Sequence, residues 1–583
     1  MAPTPSPAAT RGDYPPPPPA SPNPVQSSRA VFNGGVNPLF GDPTSPETDG
    51  TSASDVTSIP RRWRALAGAV AAGLAVAVAE FVGGLTGLVT GSAVTLVGAV
   101  GDWFIDTIGR PLAAPAIDAL GGWSKPLLVV GIVAVCLGLG ALVGVASHRR
   151  RHLAALAFGA AGLAGAAAAI GVEGASVAGA VVAAGGGAIS GWWALGWLLR
   201  VGTGQSALPM TTTRSLIAEP MTQVGTTRRR FLGFAGLTAA VGVIAAVAGR
   251  ALQGSSVAET ARSSVRLPAA TTTPGVSRIG AAGTEFTTPG LSPLITPNAD
   301  FYRIDTALVL PDVNPTDWSL TIDGMVDRPV TITFDELLAM PMVEEVVTLA
   351  CVSNPVGGSL VGTAVWQGVP LATLLAQAGV QPTAQQLVGR SVDGFTVGFP
   401  VEAATDGRVA LVAVGMNGEP LPVRHGFPAR LVVAGLYGYV SATKWLRQIE
   451  LTTWDAFDPY WIPRGWAREA PVRTQSRIDV PTNGSTVRPG PVPIAGVAWA
   501  PDTGIERVEV RVDDGPWVPA QLSEPLSNDA WRQWVLTWDA APGLHTIRVR
   551  ATDRTGFTQP EGPRPVAPDG AEGWHTRRVT VAD

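Results

Sequence analysis

Five apolar stretches in the first half of the chain constrain its fold more than any other feature. Each is close to the ~20 residues that an α-helix needs to cross the hydrocarbon layer of a membrane. They run from about Ala65 to Val82, Pro126 to Val145, Leu153 to Val172, Val177 to Leu199 and Phe231 to Val247. Only 15% of the residues are charged and 46% are hydrophobic, a balance that favours a membrane region. We therefore predict an all-α bundle of five transmembrane helices in a lipid bilayer, over residues 61–250.

Arginine clusters between these stretches indicate how the helices cross the bilayer. Short loops that carry positive charge stay on the cytoplasmic side. The clusters lie at residues 61–64, 149–151 and 228–230, which precede the first, third and fifth stretches. Five spans put all three clusters inside and everything after about residue 250 outside. The chain is thus predicted to be a multi-pass protein of the cell membrane with an extracytoplasmic C-terminal half.

Residues 1–60 are crowded with Pro, Ser, Thr and Gly and include five consecutive prolines, Pro15 to Pro19. Such a segment lacks the apolar periodicity that is needed to bury a core. We predict a disordered cytoplasmic tail.

Residues 227–232 read Thr-Arg-Arg-Arg-Phe-Leu and resemble the twin-arginine export motif, immediately before the fifth apolar stretch. The ordinary positive flank of a membrane span would give the same residues. The export interpretation implies a protein that crosses the membrane already folded around a cofactor.

The chain beyond residue 250 has the pattern of soluble protein. A linker rich in Thr, Ser, Pro and Gly is predicted over residues 251–290, followed by an α+β domain over residues 291–470. Strands are expected at Val330–Thr333, Val346–Cys351 and Arg430–Val433, and helices at Phe334–Met340 and Pro370–Ala378.

Residues 471–583 lack helical signals. Alternating runs at Val508–Val512, Trp534–Trp538 and His545–Val549 are separated by Asp-Gly and Pro-Gly turns. This pattern predicts an immunoglobulin-like β-sandwich, so the fold class of the whole chain is multidomain.

Charge and cysteine content exclude some functions. The net charge of −4 comes without a long basic patch, which argues against a nucleic-acid partner. Two cysteines and no Cys-x-x-Cys-His sequence leave no c-type haem site and no four-thiolate iron–sulfur site. No flavin motif is present either, so any redox centre must use few protein ligands.

Cys351 is the only cysteine outside the apolar stretches, since Cys136 lies within the second one. An unpaired cysteine in an oxidising compartment is a liability, which invites a functional interpretation. Free cysteine is nevertheless most often a small buried hydrophobic residue. Taken alone, Cys351 fits packing better than chemistry.

Several short motifs around Cys351 change that balance. They are Cys351-Val-Ser-Asn354, Ala364-Val-Trp-Gln-Gly-Val-Pro-Leu371, Met416-Asn-Gly-Glu-Pro-Leu421, His425-Gly-Phe-Pro-Ala-Arg430 and Thr443-Lys-Trp445. Their order and approximate spacing resemble those of the sulfite-oxidase family, over residue 291 to the C-terminus. The resemblance implies a sulfite-oxidase-type molybdopterin domain, in which a pyranopterin dithiolene, oxo groups and Cys351 hold molybdenum. A soft thiolate suits a metal that is already bound by sulfur.

The resemblance also implies the residues that bind the pterin. His425, Arg430 and Lys444 map onto the family's cations for the pterin phosphate, where a guanidinium fork and an ammonium suit an anion. The remaining cofactor-binding candidates are Phe301, Tyr302, Arg303, Asn354 and Thr443.

Asp305 departs from true sulfite oxidases. Aligned without gaps, it falls where those enzymes place an arginine beside the metal, and a carboxylate would repel sulfite. Arg303 lies two residues earlier and, in an extended segment, would point to the same face. The segment resembles the periplasmic methionine-sulfoxide reductase branch of the family about as well. Both residues are therefore catalytic candidates, with the substrate left open.

The family often has a tyrosine near the metal. Tyr460, in Asp458-Pro-Tyr-Trp461, falls in the corresponding region and is the candidate, while Tyr437 and Tyr439 compete for that role. For any one of them taken individually, aromatic packing is the favoured interpretation.

Together these features predict a molybdenum-dependent oxidoreductase that performs two-electron oxo transfer on a small sulfur-containing or related substrate at the outer membrane face. A separate cytochrome or quinone system would carry the electrons, and the immunoglobulin-like domain would support a homodimer. Two other interpretations remain: a non-catalytic surface binding protein that has lost its cofactor, and a peroxidase with Cys351 as nucleophile.

Overall fold

The structure is a computed structural model of the 583-residue chain. It describes residues 60–90, 95–108, 124–147, 150, 152–171, 176–203, 224–254, 257–273, 275–307 and 310–582. The predicted tail lies outside the described residues up to position 59, as do Arg149, Arg151 and the side chain of Arg228.

Long apolar helices fill the first half of the described chain. They are α1 (Arg61–Thr90), α2 (Leu96–Ile108), α3 (Ser124–Ala146), α4 (His152–Ile170), α5 (Val177–Gly202) and α6 (Val224–Gly254). Five of the described helices, all except α2, are long and apolar enough to cross a membrane. The five predicted helices are therefore confirmed as helices, with ends that shift by up to eight residues.

Helix α2 was not predicted, because its 13 residues are too few for a span. The Val97 amide near its start donates a 2.9 Å hydrogen bond to Glu80 Oε1 on α1. Glu80 thus satisfies one of the amides that a helix start leaves without an internal partner. This contact ties α2 to the end of α1.

Glycines set the contact between α1 and α3. A Cβ atom on Gly68 would collide with the Gly140 carbonyl, and one on Gly144 would collide with the Arg64 carbonyl. Small residues allow such close backbone approach, which is a common way for apolar helices to associate.

The starts of α1 and α6, which carry arginines, lie at the same place as the end of α3. Near the start of α1, Trp63 packs edge-on against Phe231 near the start of α6, with 5.5 Å between ring centroids. The contact between Gly144 and Arg64 brings the end of α3 to the same place. The clusters at 61–64 and 228–230 therefore lie at one end of the bundle, together with the end of α3, which precedes the cluster at 149–151 in the sequence.

The α+β domain contains two sheets. Its strands are β1 (Ser319–Gly324), β2 (Val330–Thr333), β3 (Val343–Ala350), β4 (Val361–Pro370), β5 (Gln386–Ser391), β6 (Thr396–Pro400), β7 (Ala410–Met416), β8 (Glu419–Pro420), β9 (Arg430–Val433) and β10 (Leu446–Thr452). One sheet has the order β2-β1-β10-β5-β6 and the other β3-β4-β7-β8, with β9 also paired to β7. The predicted strands are confirmed.

The domain's helices are α7 (Val257–Ser264), α8 (Phe334–Ala339), α9 (Leu371–Ala378) and α10 (Gly438–Ser441). Both predicted helices, α8 and α9, are confirmed within one residue at each end. Helix α8 begins where it does because Thr333 and Glu336 form a reciprocal capping box.

The segment predicted as a linker is more ordered than its composition indicates. It contains α7, and Thr272 bridges Val343 at the start of β3. Gln367 Nε2 donates to the Pro268 carbonyl at 2.6 Å, and the Thr271 amide donates to Met342. These are largely backbone contacts, which leave no apolar pattern in the sequence.

The C-terminal domain is a β-sandwich, as predicted. Its strands are β11 (Gln475–Val480), β12 (Thr486–Val487), β13 (Gly490–Trp499), β14 (Ile505–Val512), β15 (Val518–Pro519), β16 (Gln521–Leu522), β17 (Arg532–Ala540), β18 (Gly543–Asp553) and β19 (His575–Val581). Two sheets, ordered β11-β13-β17-β16 and β12-β19-β18-β14-β15, enclose a core that includes Ile478, Trp534 and Val549. Trp499 and Trp531 belong instead to the buried core of the α+β domain.

Candidate functional site

Cys351 begins a tight loop at the end of β3. Its amide donates to the Leu360 carbonyl at 2.9 Å, and its carbonyl accepts from the Asn354 amide at 3.0 Å. The Asn354 side chain closes the loop by accepting the Leu360 amide at 2.9 Å. Asn354, predicted to bind the cofactor, thus has a clear structural role in shaping the loop that presents Cys351.

The Cys351 side chain is buried, with 8% exposed. Burial raises the pKa of its thiol, while hydrogen bonds from Ser353 and the positive charge of Lys444 act in the opposite direction. Burial also raises the pKa of Tyr302, and a negative Cys351 would raise it further. The thiolate form therefore needs a compensating positive charge, which a bound metal ion supplies.

Arg430 is a buried cation beside this loop. Only 3% of it is exposed, and its guanidinium donates to the carbonyls of His425 at 3.1 Å and Leu431 at 3.3 Å. It lies 4.8 Å from the centroid of the Trp366 ring. Burial lowers the pKa of Arg430 to about 10. The ion pairs among the described residues give Arg430 no carboxylate, so its buried charge has no anionic partner from that part of the chain.

Two further buried groups lack hydrogen-bond partners among the described residues. His425 bonds through Nε2 to the Asn298 carbonyl at 2.9 Å, but its Nδ1 has no partner, and neither has Thr443 Oγ1. Burial lowers the pKa of His425 to about 4, so the ring is neutral at pH 7. Buried polar atoms without partners are rare and mark a place for a missing ligand or water.

Gly426 brings these groups together. Its φ of +113° favours glycine, and a Cβ there would lie 3.0 Å from Lys444 Cα and 3.2 Å from Arg430 Cβ. The turn therefore gathers His425, Arg430 and Lys444 on one wall; His425 is neutral there, so Arg430 and Lys444 are the cations of the three. Two cations, a neutral imidazole and a hydroxyl fit the phosphate and polar edge of a pterin cofactor.

Asp305 bridges two cations rather than standing as a bare carboxylate. Its Oδ2 lies 2.7 Å from Arg303 Nε and 3.2 Å from Lys444 Nζ, and its side chain is 6% exposed. Burial lowers the pKa of Lys444 to about 8, although Asp305 opposes this effect. The three side chains carry a net charge of +1 when all are ionised. A cation therefore remains available here, despite the departure at position 305.

Phe301 packs between the wall and β4. It is 3% exposed, stacks on Tyr302 at 5.3 Å, and meets the rings of Trp366 and His425 edge-on, each at 5.7 Å. Its ring also lies against Gly362, opposite Leu349 in the strand that leads to Cys351. Phe301 thus braces the Tyr302 and His425 side chains.

The candidate tyrosines differ in their surroundings. Tyr460 contacts the rings of Phe395 at 5.6 Å and Trp461 at 5.1 Å, and Tyr439 donates its hydroxyl hydrogen to the Ala467 carbonyl. Burial raises the pKa of Tyr437 to about 12, and Cys351 contributes to that increase. The electrostatic coupling to Cys351 favours Tyr437 over Tyr439, while the role of Tyr460 stays a prediction.

Trp366 is a site residue to which sequence reasoning gave no role. It is fully buried, lies under the Arg430 guanidinium and donates its indole hydrogen to the Val347 carbonyl at 3.2 Å. Its place in the Ala364–Leu371 motif was the available signal.

Two protein-family models match the second half of the chain. Residues 307–461 match the family model "Oxidoreductase molybdopterin binding domain", and residues 475–549 match "Bacterial Ig domain". The sulfite oxidase of Arabidopsis thaliana is 30% identical over 331 residues, which cover 46% of this chain and 84% of the plant protein. The mitochondrial sulfite oxidase of Homo sapiens is 29% identical over 334 residues, 49% of this chain and 59% of the human one.

The chain therefore belongs to the sulfite oxidase family. Its residues 307–461 form an oxidoreductase domain of the molybdopterin-binding type. The chain spans about three fifths of the length of the mammalian relatives that it matches. The sulfane dehydrogenase SoxCD from Paracoccus pantotrophus is also similar, at 26% identity with a TM-score of 0.43, over 50% of this chain and 84% of that one.

Proposed function

We propose that this chain is a membrane-anchored oxidoreductase that uses molybdopterin for two-electron oxo transfer on a small sulfur-containing or related substrate, at the outer face of a membrane. The observation that carries this proposal is the wall beside Cys351. There a buried guanidinium, an imidazole nitrogen and a hydroxyl lack partners of the kind that a phosphorylated pterin would supply.

Each residue of the wall has a role in this proposal. Cys351 provides the thiolate ligand, and Arg430 and Lys444 neutralise the pterin phosphate. His425 Nδ1 and Thr443 Oγ1 complete their hydrogen bonds on the cofactor. The bound molybdenum centre itself supplies the two-electron oxo-transfer chemistry, while the protein supplies binding, orientation and electrostatics.

The substrate position adjoins Asp305 in this proposal. The Arg303–Asp305 pair keeps a cation near the site while reducing its net charge, which suits a weakly anionic or neutral sulfur compound better than a strongly anionic one. Tyr437 and Tyr460 are the tyrosines proposed to face the reacting atoms. Their separate replacement by phenylalanine distinguishes them.

The membrane location rests on the bundle. Five described helices have the length and composition of spans, and the arginine-bearing starts of α1 and α6 lie beside the end of α3, which precedes the arginines at 149–151 in the sequence. Positive ends stay inside a cell, so an odd number of spans puts the Cys351 domain outside. An epitope tag fused after Asp583 is expected to bind antibody in intact spheroplasts, whichever export route the domain uses. Binding only after the membrane has been permeabilised would refute this topology.

The remaining partners are a separate electron carrier, either a cytochrome or a quinone system, and a second copy of the chain. A soluble cytochrome that oxidises the substrate-reduced protein at a saturable rate would support the first. The mass of the purified protein in detergent tests the second.

The central test is the molybdenum and pterin content of purified protein. Wild type is expected to contain about one of each per chain, and Cys351→Ser to lose most of the molybdenum. Cys136→Ser is the matched control, because that thiol lies within α3. Wild type without molybdenum and pterin would refute the proposal and favour a non-catalytic binding protein.

A further inference from the structure

The strand that ends at Cys351 is an edge strand, and the immunoglobulin-like domain covers its open side. Among the described strands β3 pairs with β4 alone, and the bridge from Thr272 reaches only Val343 at its start. On the other side, the Thr348 amide donates to the Asp529 carbonyl at 2.9 Å, and Thr348 Oγ1 accepts the Trp531 amide at 2.7 Å. The loop before β17 therefore holds the end of β3 only three residues from Cys351.

Arg477 in β11 holds the loop that follows Cys351. Its Nη1 donates to the Gly358 carbonyl at 2.9 Å. The same guanidinium pairs with Asp479 at 2.7 Å and donates to Ser292 Oγ at 2.8 Å, and its side chain is 10% exposed. Because all three contacts use one rigid planar group, they fix the direction of the hydrogen bond to the loop.

His575 in β19 packs against Gly357, the residue before Gly358 in that loop. A Cβ on Gly357 would collide with Cδ2 and Nε2 of the imidazole, and Gly357 has a φ of +75°. The ring is oriented by its Nδ1, which accepts the Ile478 amide at 2.9 Å. His575 therefore closes the space above the loop, and only glycine fits beneath it.

We infer that Arg477 and His575 are positioning residues for Cys351. The immunoglobulin-like domain holds the Cys351–Gly358 loop in the one geometry that presents the thiolate to the metal. A metal ligand must be held within roughly 0.5 Å of its productive place, whereas loops and open strand edges fluctuate readily. The inference rests on the proposed function for the identity of the metal, but the restraint on the loop is a property of the chain alone.

Conservative variants separate this role from general stability. Arg477→Lys keeps the positive charge beside its carboxylate but loses the rigid fork. His575→Asn keeps an acceptor for the Ile478 amide but removes the ring above the loop. The matched controls are Arg550→Lys and His545→Asn, whose carboxylate partners lie within the immunoglobulin-like domain.

The first measurement uses full-length protein made without the cofactor. Maleimide labelling of Cys351, located by mass spectrometry, and amide hydrogen exchange over residues 352–358 both report the freedom of the loop. Each is expected to be roughly five- to tenfold faster in the two variants, because a buried restraint is lost, and unchanged in the controls. If Arg477→Lys does not fold, His575→Asn decides the result.

The second measurement uses protein that contains the cofactor. Both variants are expected to shift the electron paramagnetic resonance signal of the reduced centre and to lower kcat more than they change KM. The inference would be overturned if both variants kept wild-type rates of labelling and exchange, or if the controls showed the same increase in these rates. An unaltered resonance signal in the variants would also overturn it. A wild type without molybdenum would refute the proposed function, while labelling and exchange would still decide the restraint.

Discussion

Replacing Arg430 by methionine separates cofactor binding from stability, because the arginine is a buried cation without an anion from the described residues. Its pKa of about 10, against an ordinary 12.5, means that burial penalises the charged form by about 3 kcal/mol. Removing the charge relieves that penalty. It also removes two hydrogen bonds to carbonyls and the contact with Trp366, each a contribution of about 1 kcal/mol.

The two effects nearly cancel in protein without the cofactor. Arg430→Met is therefore expected to change the free energy of unfolding by no more than about 2 kcal/mol in the cofactor-free chain. With the cofactor, the variant lacks a buried charge-assisted contact of about 2–5 kcal/mol, so cofactor affinity falls by at least about thirtyfold.

Two assays on full-length protein in detergent measure these quantities. Urea unfolding followed by tryptophan fluorescence gives the stability of cofactor-free protein, and metal and pterin analysis gives occupancy after expression with molybdate. Arg424→Met is the matched control, since it removes an equal charge from an exposed position in the same turn. Wild-type occupancy in Arg430→Met would refute the anion-binding role. A loss of more than about 4 kcal/mol without the cofactor would show that the arginine is structural.

Three other predictions test charge and packing. Asp529 has a pKa of about 6, raised from 3.8 mainly by burial, so wild type loses stability as pH rises from 3.8 to 6. In urea titrations, Asp529→Asn is expected to raise the free energy of unfolding by up to about 3 kcal/mol above pH 6 and not to change it below pH 3.8. A difference that does not depend on pH would contradict this. Gly140→Ala is expected to lower the midpoint of thermal unfolding in detergent, because its Cβ would collide with α1. Gly138→Ala is the control and is expected to leave the midpoint unchanged, because nothing lies close to that position. Equal midpoints for the two variants would refute the helix contact. Asp305→Asn removes a negative charge beside an arginine and a lysine. The KM for sulfite is therefore expected to fall about fivefold, an effect of about 1 kcal/mol, whereas the KM for neutral dimethyl sulfoxide is expected to stay constant. Parallel changes in the two constants would argue against a charge effect at the substrate position.

Local patterns in the sequence predicted the long helices of the first half and part of the strands beyond it. The apolar stretches gave the long helices, and alternation with turn residues gave the sandwich, because both signals depend on neighbours a few residues apart. Helix α2 and the segment around Thr272 were missed for a physical reason. A 13-residue helix capped by Glu80, and a segment held by backbone hydrogen bonds, leave no periodic trace.

The candidate site was predicted only in part. Separated motifs proposed Cys351, Arg430 and Lys444 as site residues, and the structure brings the two cations onto one wall with His425. The sequence could not show that Asp305 would be bridged by Lys444, because 139 residues separate the two in the chain. A charge considered in isolation therefore suggested repulsion, whereas the structure contains a carboxylate between two cations.

The contacts of the immunoglobulin-like domain with the Cys351 loop were the feature that the sequence indicated least. Arg477 reaches Gly358 across 119 residues, and its acceptor is a backbone carbonyl that no side chain marks. Trp531 lies in the core of the α+β domain although it belongs to the sandwich, so the boundary near residue 470 does not separate two independent cores. Deleting residues 471–583 would expose the edge of β3 and empty the Trp531 position at the same time. Loss of activity in such a truncation would therefore follow from unfolding alone, and only point variants such as Arg477→Lys can distinguish positioning of Cys351 from support of the fold.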